Sequence, residues 1–312
     1  MALHKIEPTR ETLHGTFSSS YPAVLRIDPG DSVEFKTLDA RWTIEDPPDQ
    51  LTPGKNIQDK DPVRDGGHAL CGPIAINGAE PGMVLVVKIG DIVTGSYGWN
   101  YGGGWSNGIN EHLGLAADED EARLGWKLDP TKGIATDQYG RSVHLSPFFG
   151  VMGMPDASGE ILSTAPPRPW GGNIDCKELI AGTTLYLPIA VKDGLFSAGD
   201  GHARQADGEV SQMAIECPIE SGTLTFDLRD DLALKFPIAR TADSWLTFGF
   251  HEDLDQAALI ALDGMLDLFV REFGIPRNQA LALGSTVVDL RVTQIVNGVK
   301  GIHAVLRDGE IF

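Results

Sequence analysis

Tight turns that directly precede apolar, β-branched runs constrain the fold of this chain more than any other feature. Residues 28–31 (DPGD) precede the run SVEFKTL, and residues 80–83 (EPGM) precede VLVVKIGDI. Proline and glycine favour tight reversals, and the runs that follow them are typical of strands. Similar units return at residues 181–191 (AGTTLYLPIAV) and 220–228 (ESGTLTFDL). The recurrence is also compatible with ordinary β-sheet sequence. We predict a mainly β (α+β) fold with a jelly-roll-like β-sandwich core and additional small β elements.

Helix is indicated clearly only near the C-terminus. Apolar residues recur there at three- or four-residue spacing, namely Leu254, Ala258, Ala261, Met265, Phe269 and Phe273. Gly274 and Pro276 then end the predicted helix. A short second helix is predicted over residues 278–283, followed by a strand hairpin with its turn at Asn297-Gly298.

No linker separates these parts, so we expect residues 1–312 to form one interlocked unit. Residues 20–250 would be its β-rich part, and residues 251–312 would contribute the helix and the hairpin. The long apolar stripe of the C-terminal helix leaves room for a subunit interface. We therefore expect a homo-oligomer.

Residues 95–110, GSYGWNYGGGWSNGIN, combine many glycines with Tyr97, Trp99, Tyr101 and Trp105. We expect a loop, because so glycine-rich a segment is a poor candidate for a packed element. Its exposed aromatic side chains would be costly unless they cover something. Two interpretations stay open: a loop packed on the sandwich, and a lid over a pocket.

Composition excludes several classes of partner and compartment. The formal net charge of −19 would repel nucleic acid backbones and anionic lipid surfaces. Three scattered cysteines predict neither a disulfide framework nor a Cys-x-x-Cys metal site. No run approaches the length needed to cross a bilayer. We expect a cytoplasmic protein that binds neither nucleic acid nor membrane.

The sequence also lacks the marks of nucleophilic hydrolases and of phosphate-binding loops. It contains no Gly-x-Ser-x-Gly elbow, no Walker A sequence and no strand-to-helix dinucleotide fingerprint. Cys176 lies beside Lys177, which could lower the pKa of a thiol, but a lone cysteine is more often a small core residue.

Metal-ligand residue types, in contrast, lie at glycine-framed positions. Asp200 and His202 are separated by one residue, a spacing that places both side chains on one face of an extended segment. Glu209 follows after a turn at Gly208, and the further candidates are His68, Asp175 and His144. Zinc accepts histidine nitrogen and carboxylate oxygen while keeping a position open for water. Solvated turn acids and buried core histidines remain the alternative, because Asp-x-His alone is not specific.

The segments that hold these residues resemble those of the acetamidase/formamidase family. The resemblance rests on five segments and covers most of residues 24–305: GGHALCGPIAINGAEPGMVLVVKIGDI (66–92), HLSPFFGVMGMP (144–155), PPRPWGGNIDCKEL (166–179), AGTTLYLPIAVKDGLFSAGDGHARQADGEV (181–210) and ESGTLTFDL (220–228).

The resemblance implies a fold that contains a β-sandwich, hydrolysis of a short-chain amide to ammonia and a carboxylate, and a bound divalent metal. The family segments coincide here with His68, Asn173, Asp175, Asp200, His202, Gln205 and Glu209. Residues 97–114 match neither an acetamide nor a formamide preference.

We therefore expect an amidohydrolase whose substrate is a small neutral amide, acetamide or formamide. The hypothesis assigns His68, Asp175, Asp200 and His202 to the metal, Glu209 to general base catalysis, and Asn173 and Gln205 to the substrate or to orientation of the ligands. Zinc is the first candidate metal, and calcium or manganese would also accept such ligands. The alternatives are hydrolysis of another non-peptide C–N bond, in a larger amide, a carbamate or a cyclic ureide, and a non-catalytic sandwich that binds a small molecule.

Overall fold

Two large β-sheets form the body of the protein, whose residues 1–312 are all described by a computed structural model. The first sheet has nine strands, which are, in order across the sheet, Leu3–Ile6, Ser32–Phe35, Ile219–Arg229, Val84–Thr94, Thr184–Pro188, Ile238–Arg240, Ser244–His251, Lys300–Arg307 and Val288–Gln294. The second has six, which are Gly171–Asn173, Phe148–Gly153, Phe196–His202, Leu70–Ile76 and Leu13–His14, with Leu25–Ile27 parallel to Leu70–Ile76.

The two large sheets pack face to face through aromatic side chains. The ring of Phe35 on the nine-stranded sheet meets that of Phe149 on the six-stranded sheet with centroids 6.1 Å apart, and Phe196 meets Phe226 at 5.0 Å. Both pairs are edge-to-face, an arrangement that stabilises aromatic pairs beyond the area they bury. These contacts confirm the predicted sandwich core, and the strands predicted after residues 31, 83, 181 and 220 are all present.

Three small sheets account for the remaining strands. A four-stranded sheet contains Tyr97–Gly102, Ala122–Asp129, Ile134–Asp137 and Ser142–His144, and two-stranded sheets pair Leu162–Ser163 with Thr16–Phe17 and Thr43–Glu45 with Lys55–Asn56. The expectation of a loop over residues 95–110 was wrong, because this segment contains a strand and the short helix Gly108–Leu113.

The C-terminal segment is built as its periodicity predicts. The helix Leu254–Phe273 begins at an Asp253 cap and ends at Gly274, whose φ is +66°. A second helix, Arg277–Val287, extends beyond the predicted short one on both sides, and the hairpin strands Val288–Gln294 and Lys300–Arg307 follow. These strands extend the nine-stranded sheet, and the long helix covers them. No helix is both long and apolar enough to cross a membrane.

Candidate active site

The strand Phe196–His202, in the middle of the six-stranded sheet, carries the residue pair of the Asp-x-His motif. Asp200 and His202 are both buried, and their side chains point to the same side, with Oδ2 of Asp200 3.4 Å from Nε2 of His202. The predicted one-residue spacing therefore brings the two side chains together. The strands Phe148–Gly153 and Leu70–Ile76 flank this strand, so the pair stands on a rigid support.

Three further carboxylates surround His202. Oδ1 of Asp175, just beyond the strand Gly171–Asn173, lies 3.9 Å from Nδ1 of His202, and Oε2 of Glu216 lies 3.4 Å from Nε2. Glu209 follows the turn at Gly208 and forms a compact group with His202 and Glu216. We call the set of Asp175, Asp200, His202, Glu209 and Glu216 the acidic cluster.

Asp175, Asp200 and His202 of the acidic cluster meet over Gly150, which lies on the neighbouring strand Phe148–Gly153. A methyl group at Gly150 would lie 2.7 Å from Oδ1 of Asp175, from Oδ2 of Asp200 and from Cε1 of His202. Any side chain at this position would therefore collide with the groups that converge there. Glycine keeps the space between the potential ligand atoms open.

Electrostatic coupling perturbs the protonation of the cluster. Burial raises the pKa of Asp175 to about 7, and burial together with the Asp175 carboxylate raises the pKa of Glu209 well above its ordinary value. For His202, burial acts to lower the pKa, but the carboxylates of Glu216 and Asp200 outweigh it and raise the pKa. The pKa of Asp200 is lowered, because nearby histidines outweigh its burial. Such perturbation is typical of functional sites.

The carboxylates of the cluster lack hydrogen-bond donors. One oxygen in each of four buried side chains has no partner, namely Oδ1 of Asp175, Oδ1 of Asp200, Oε2 of Glu209 and Oε2 of Glu216. Buried polar atoms are normally paired, and unpaired charge is costly to bury. The potential ligand atoms fall into two compact groups that share His202, one with Asp175 and Asp200 and the other with Glu209 and Glu216. The donor set therefore fits a divalent metal ion.

Backbone strain is concentrated at the same residues. Asp175, Asp200 and Glu209 have φ values of +50°, +57° and +46°. A non-glycine residue in this region costs on the order of 1–3 kcal/mol and persists only where its surroundings enforce it. The fold therefore holds the backbone of three of the four acidic residues in conformations that an isolated chain would avoid.

The other predicted site residues lie around the cluster. Gln205 joins two of its members, because its Oε1 accepts a hydrogen bond from Nδ1 of His202 at 3.1 Å and its Nε2 donates to the carbonyl of Asp175 at 2.7 Å. Nδ2 of Asn173 donates to the carbonyl of Ala165, whereas its buried Oδ1 has no partner.

The two remaining histidine candidates are less buried. His68 is half-buried, and its Nδ1 lies 2.9 Å from Oγ1 of Thr164. It is not among the residues whose ligand atoms converge. His144 is exposed at the end of the strand Ser142–His144 and lies outside those groups as well. The structure thus brings together Asp175, Asp200, His202 and Glu209, with His68 at a more open position.

Two residues of the site were missed from the sequence. Glu216 is the one charged residue in the apolar run AIECPI, and that isolation is a signal that could have found it. Asn297 was interpreted only as part of a hairpin turn, but its Nδ2 donates to Oδ2 of Asp175 at 2.7 Å. The hairpin turn therefore reaches across the chain to orient a cluster carboxylate.

The sequence model of the Acetamidase/Formamidase family matches residues 3–162 and 155–312. The chain belongs to this family. Membership confirms the predicted resemblance and the prediction of an enzyme that hydrolyses a short-chain amide, a hydrolase of C–N bonds other than peptide bonds. Similar proteins include a formamidase of Methylophilus methylotrophus, 27% identical over 91% of this chain and 86% of the relative, and an acetamidase of Mycolicibacterium smegmatis, 28% identical over 64% and 61%.

A solved relative has the same architecture as this member of the family. The crystal structure of an acetamidase from Bacillus halodurans superposes with a TM-score of 0.83 at 26% identity, and the match covers 97% of each chain. The mainly β fold predicted from the turn-and-strand pattern is thus shared along almost the whole chain.

Proposed function

We propose that the protein hydrolyses acetamide or formamide at the acidic cluster with a divalent cation as cofactor. The observation that carries this proposal is the convergence of four buried carboxylates, each with an unpaired oxygen, around His202, with Asp175, Asp200 and His202 meeting above Gly150. A cation would supply the partner that these oxygens lack. When bound, such an ion lowers the pKa of a water molecule and polarises a carbonyl, both of which an unreactive amide requires.

Asp175, Asp200 and His202 are the proposed core of the ligand set. Their ligand atoms form one of the two compact groups, and their oxygen and nitrogen atoms suit zinc. Glu216, in the second group, is added as a further candidate. His68 is kept as the ligand nearest the opening, where its half-buried ring can also contact the substrate.

Gln205 and Asn297 are proposed as positioning residues. Oε1 of Gln205 accepts a hydrogen bond from Nδ1–H of His202 and so leaves Nε2 directed into the cluster, where its lone pair would bind the ion. Nδ2 of Asn297 donates a hydrogen bond to Oδ2 of Asp175 and leaves Oδ1 free to bind an ion. Hydrogen bonds of this kind fix the tautomer and the orientation of metal-binding side chains.

Glu209 is proposed as the general base. It would take a proton from the attacking water as the C–O bond forms, and pass that proton to the amide nitrogen as the C–N bond breaks. Ammonia and a carboxylic acid leave, and the acid then loses its remaining proton to ammonia or to solvent. Its unpaired Oε2 is available for both transfers. A carboxylate does both if each atom comes within about 2.6–3.2 Å of it.

Asn173 is proposed to bind the substrate. Its buried Oδ1 has no partner in the protein, so it can accept a hydrogen bond from the amide NH₂ group. An ester of the same shape carries no such donor and would leave this oxygen unpaired, which costs about 1–3 kcal/mol. Asn173 would thereby favour amides.

The test is ammonia release from a panel of amides by the full-length protein, with and without chelator. We expect acetamide or formamide to be hydrolysed, chelation to abolish turnover, and added zinc to restore it. Preference for a larger amide, a carbamate or a cyclic ureide would reject the proposed substrate. If no compound released ammonia, a binding function would be favoured.

Metal identity, compartment and assembly complete the proposal. We propose zinc in a cytoplasmic homo-oligomer, and the three cysteines, all buried and unpaired, are in keeping with a reducing compartment. Elemental analysis of protein purified without added metal tests the first point, and light scattering of the purified protein tests the last. Calcium in place of zinc, or a monomer, would contradict the respective part.

A further inference from the structure

A second group of potential metal ligands lies beside the acidic cluster but takes no part in the proposed chemistry. It consists of Cys176, Glu178 and His303, which we call the thiol cluster. Sγ of Cys176 lies 3.2 Å from Oε2 of Glu178, and Nε2 of His303 lies 3.5 Å from the same oxygen. Cys176 and His303 are 1% and 0% exposed, whereas Glu178 is partly exposed.

The spacing of these three atoms fits the coordination of zinc. Zinc binds sulfur at about 2.3 Å and nitrogen or oxygen at about 2.0–2.2 Å, so two ligands of a tetrahedral ion lie roughly 3.4–3.6 Å apart. The two measured distances differ from this range by at most a few tenths of an ångström. One ion can therefore contact all three residues after small side-chain movements.

His303 is already oriented for such a role. Its Nδ1 lies 2.8 Å from Oγ1 of Thr293, whereas its buried Nε2 faces Glu178 and has no hydrogen-bond partner. Metal-binding histidines are normally held by a hydrogen bond at the other ring nitrogen. An unpaired nitrogen at a fully buried position is otherwise rare. A metal ion would satisfy it.

The surroundings balance the charge and leave a route for the ion. Arg291 binds the other oxygen of Glu178, Oε1, at 3.0 Å and leaves Oε2 directed at Cys176 and His303. Glu178 also lines a cavity of about 500 Å³. Cys176 and His303 do not line this cavity, so an ion from the cavity would reach them past Glu178.

We propose that Cys176, Glu178 and His303 bind a second divalent cation of the zinc type, in a structural site separate from the acidic cluster. Cys176 directly follows Asp175 in the chain, so consecutive residues serve the two sites. The second ion would tie the segment after the strand Gly171–Asn173 to the C-terminal strand Lys300–Arg307, which carries His303. It would thus brace the backbone that holds Asp175.

Cobalt substitution of the full-length protein tests this site, because only a thiolate ligand gives a sulfur-to-cobalt charge-transfer band in the near ultraviolet. We expect the band in the wild-type protein, its loss in Cys176→Ser, and a fall in bound zinc by one ion per chain. Cys71→Ser is the matched control. Its thiol is equally buried in the hydrophobic core and donates to the carbonyl of Lys36, away from the thiol cluster, so the band should persist.

Absence of the band from folded wild-type protein, or its persistence in Cys176→Ser, would overturn the proposal. If Cys176→Ser does not fold, Thr293→Val replaces it, because loss of the contact to Nδ1 should weaken cobalt binding about 10–100-fold. Asp200→Asn should keep the band although it lies in the acidic cluster. The outcome is therefore independent of the ammonia-release assay.

Discussion

Asp39 and the carboxylates of the acidic cluster are similarly buried, but they differ in the number of hydrogen-bond donors around them. Asp39, which is 0% exposed, is saturated with donors. Its Oδ1 accepts from the backbone of Arg41 and Thr43, and its Oδ2 accepts from Oγ1 of Thr43 and Nε1 of Trp99, both at 2.8 Å. Each acid of the acidic cluster has an oxygen with no donor. Burial alone therefore does not distinguish Asp39 from the acidic cluster, whereas the missing donors do.

The two regions are nevertheless mechanically connected. Trp99, which binds Asp39, exchanges two backbone hydrogen bonds of 2.9 Å with Glu216 of the acidic cluster. Arg41 stacks on the rings of Trp99 and Tyr101, at 4.6 Å and 4.7 Å from their centroids. We infer that Asp39 stabilises the position of Trp99, and that Trp99 in turn holds the backbone of Glu216 in the acidic cluster.

The largest effect is expected at Glu209, whose substitution should change the rate of ammonia release but not lower the free energy of unfolding. Glu209→Gln should lower the rate of ammonia release by about 10²–10⁴-fold, because general base catalysis contributes that much. Because burial and the Asp175 carboxylate raise the pKa of Glu209 and so favour its neutral form without metal, a neutral amide there should leave the free energy of unfolding of metal-free protein unchanged or higher. A urea titration checks this, with the exposed Glu160→Gln as control. Near wild-type turnover would remove Glu209 from its role.

Asp39→Asn should have the opposite pattern. The amide NH₂ group would face the donors of Thr43 and Trp99, and loss of hydrogen bonds to a charged acceptor costs about 1.5–3 kcal/mol of unfolding free energy. Bound metal per chain should not change. Trp99→Phe removes one of these donors and also the larger ring on which Arg41 stacks, so it should cost about 1 kcal/mol or more. If Asp39→Asn lost its bound metal while its free energy of unfolding stayed unchanged, the proposed difference between Asp39 and the acidic cluster would be wrong.

A smaller loss is expected at Asn297, which gives one acidic residue of the cluster a donor. Asn297→Ala frees Oδ2 of Asp175, and we expect metal affinity or turnover to fall about 10–100-fold. Competition with a chromogenic chelator measures the affinity. Val296→Ala, in the same turn, should leave it unchanged. Equal losses in both variants would indicate damage to the turn and not to the orientation of Asp175.

Local patterns predicted the parts of the molecule that depend on neighbouring residues. Turn residues located the strands, a repeat of three to four residues located the helix Leu254–Phe273, and the spacing of Asp200 and His202 predicted that they share a face. The contributions of Glu216 and Asn297 depend on chain crossings that bring distant segments together. No local pattern encodes such a crossing.

The aromatic segment shows how tertiary context can override a local signal. The glycines of residues 97–102 argued against a strand, yet the segment pairs with Ala122–Asp129 along six residues. A methyl group at Gly98 would lie 2.7 Å from Cγ2 of Ile215 and 3.0 Å from the carbonyl of Glu216. Glycine is therefore required by close packing, not by flexibility. The aromatic residues Tyr97 and Trp99 between the glycines hydrogen-bond to Asp39. This agrees with the interpretation that the segment is packed, although it is a strand and not a loop.

The smallest effect is expected at His14, a buried histidine whose pKa is shifted in the opposite direction to that of His202. His14, like His202, is buried, but in its effect on the pKa burial outweighs the nearby Asp65 carboxylate, which Arg64 opposes. Its Nδ1 lies 2.8 Å from the carbonyl of Thr16, and its Nε2 lies 2.9 Å from Oγ of Ser197. This pairing suits a neutral ring that donates to the carbonyl and accepts from the hydroxyl. Burial accordingly lowers the pKa of His14 from 6.5 to about 4, whereas the pKa of His202 is raised.

The sign of the resulting pH dependence follows from proton binding. Between pH 6.5 and about 4 the unfolded chain binds a proton at His14 that the folded chain excludes, so stability is lost as the pH falls through this window. The loss between pH 7.5 and 5.5 should be about 1.4 kcal/mol. Urea unfolding of wild-type protein and His14→Gln at both pH values isolates this contribution, because all other titrating groups are shared. Equal pH dependence in the two proteins would contradict this prediction, because it would mean that the pKa of His14 is the same in the folded and the unfolded chain.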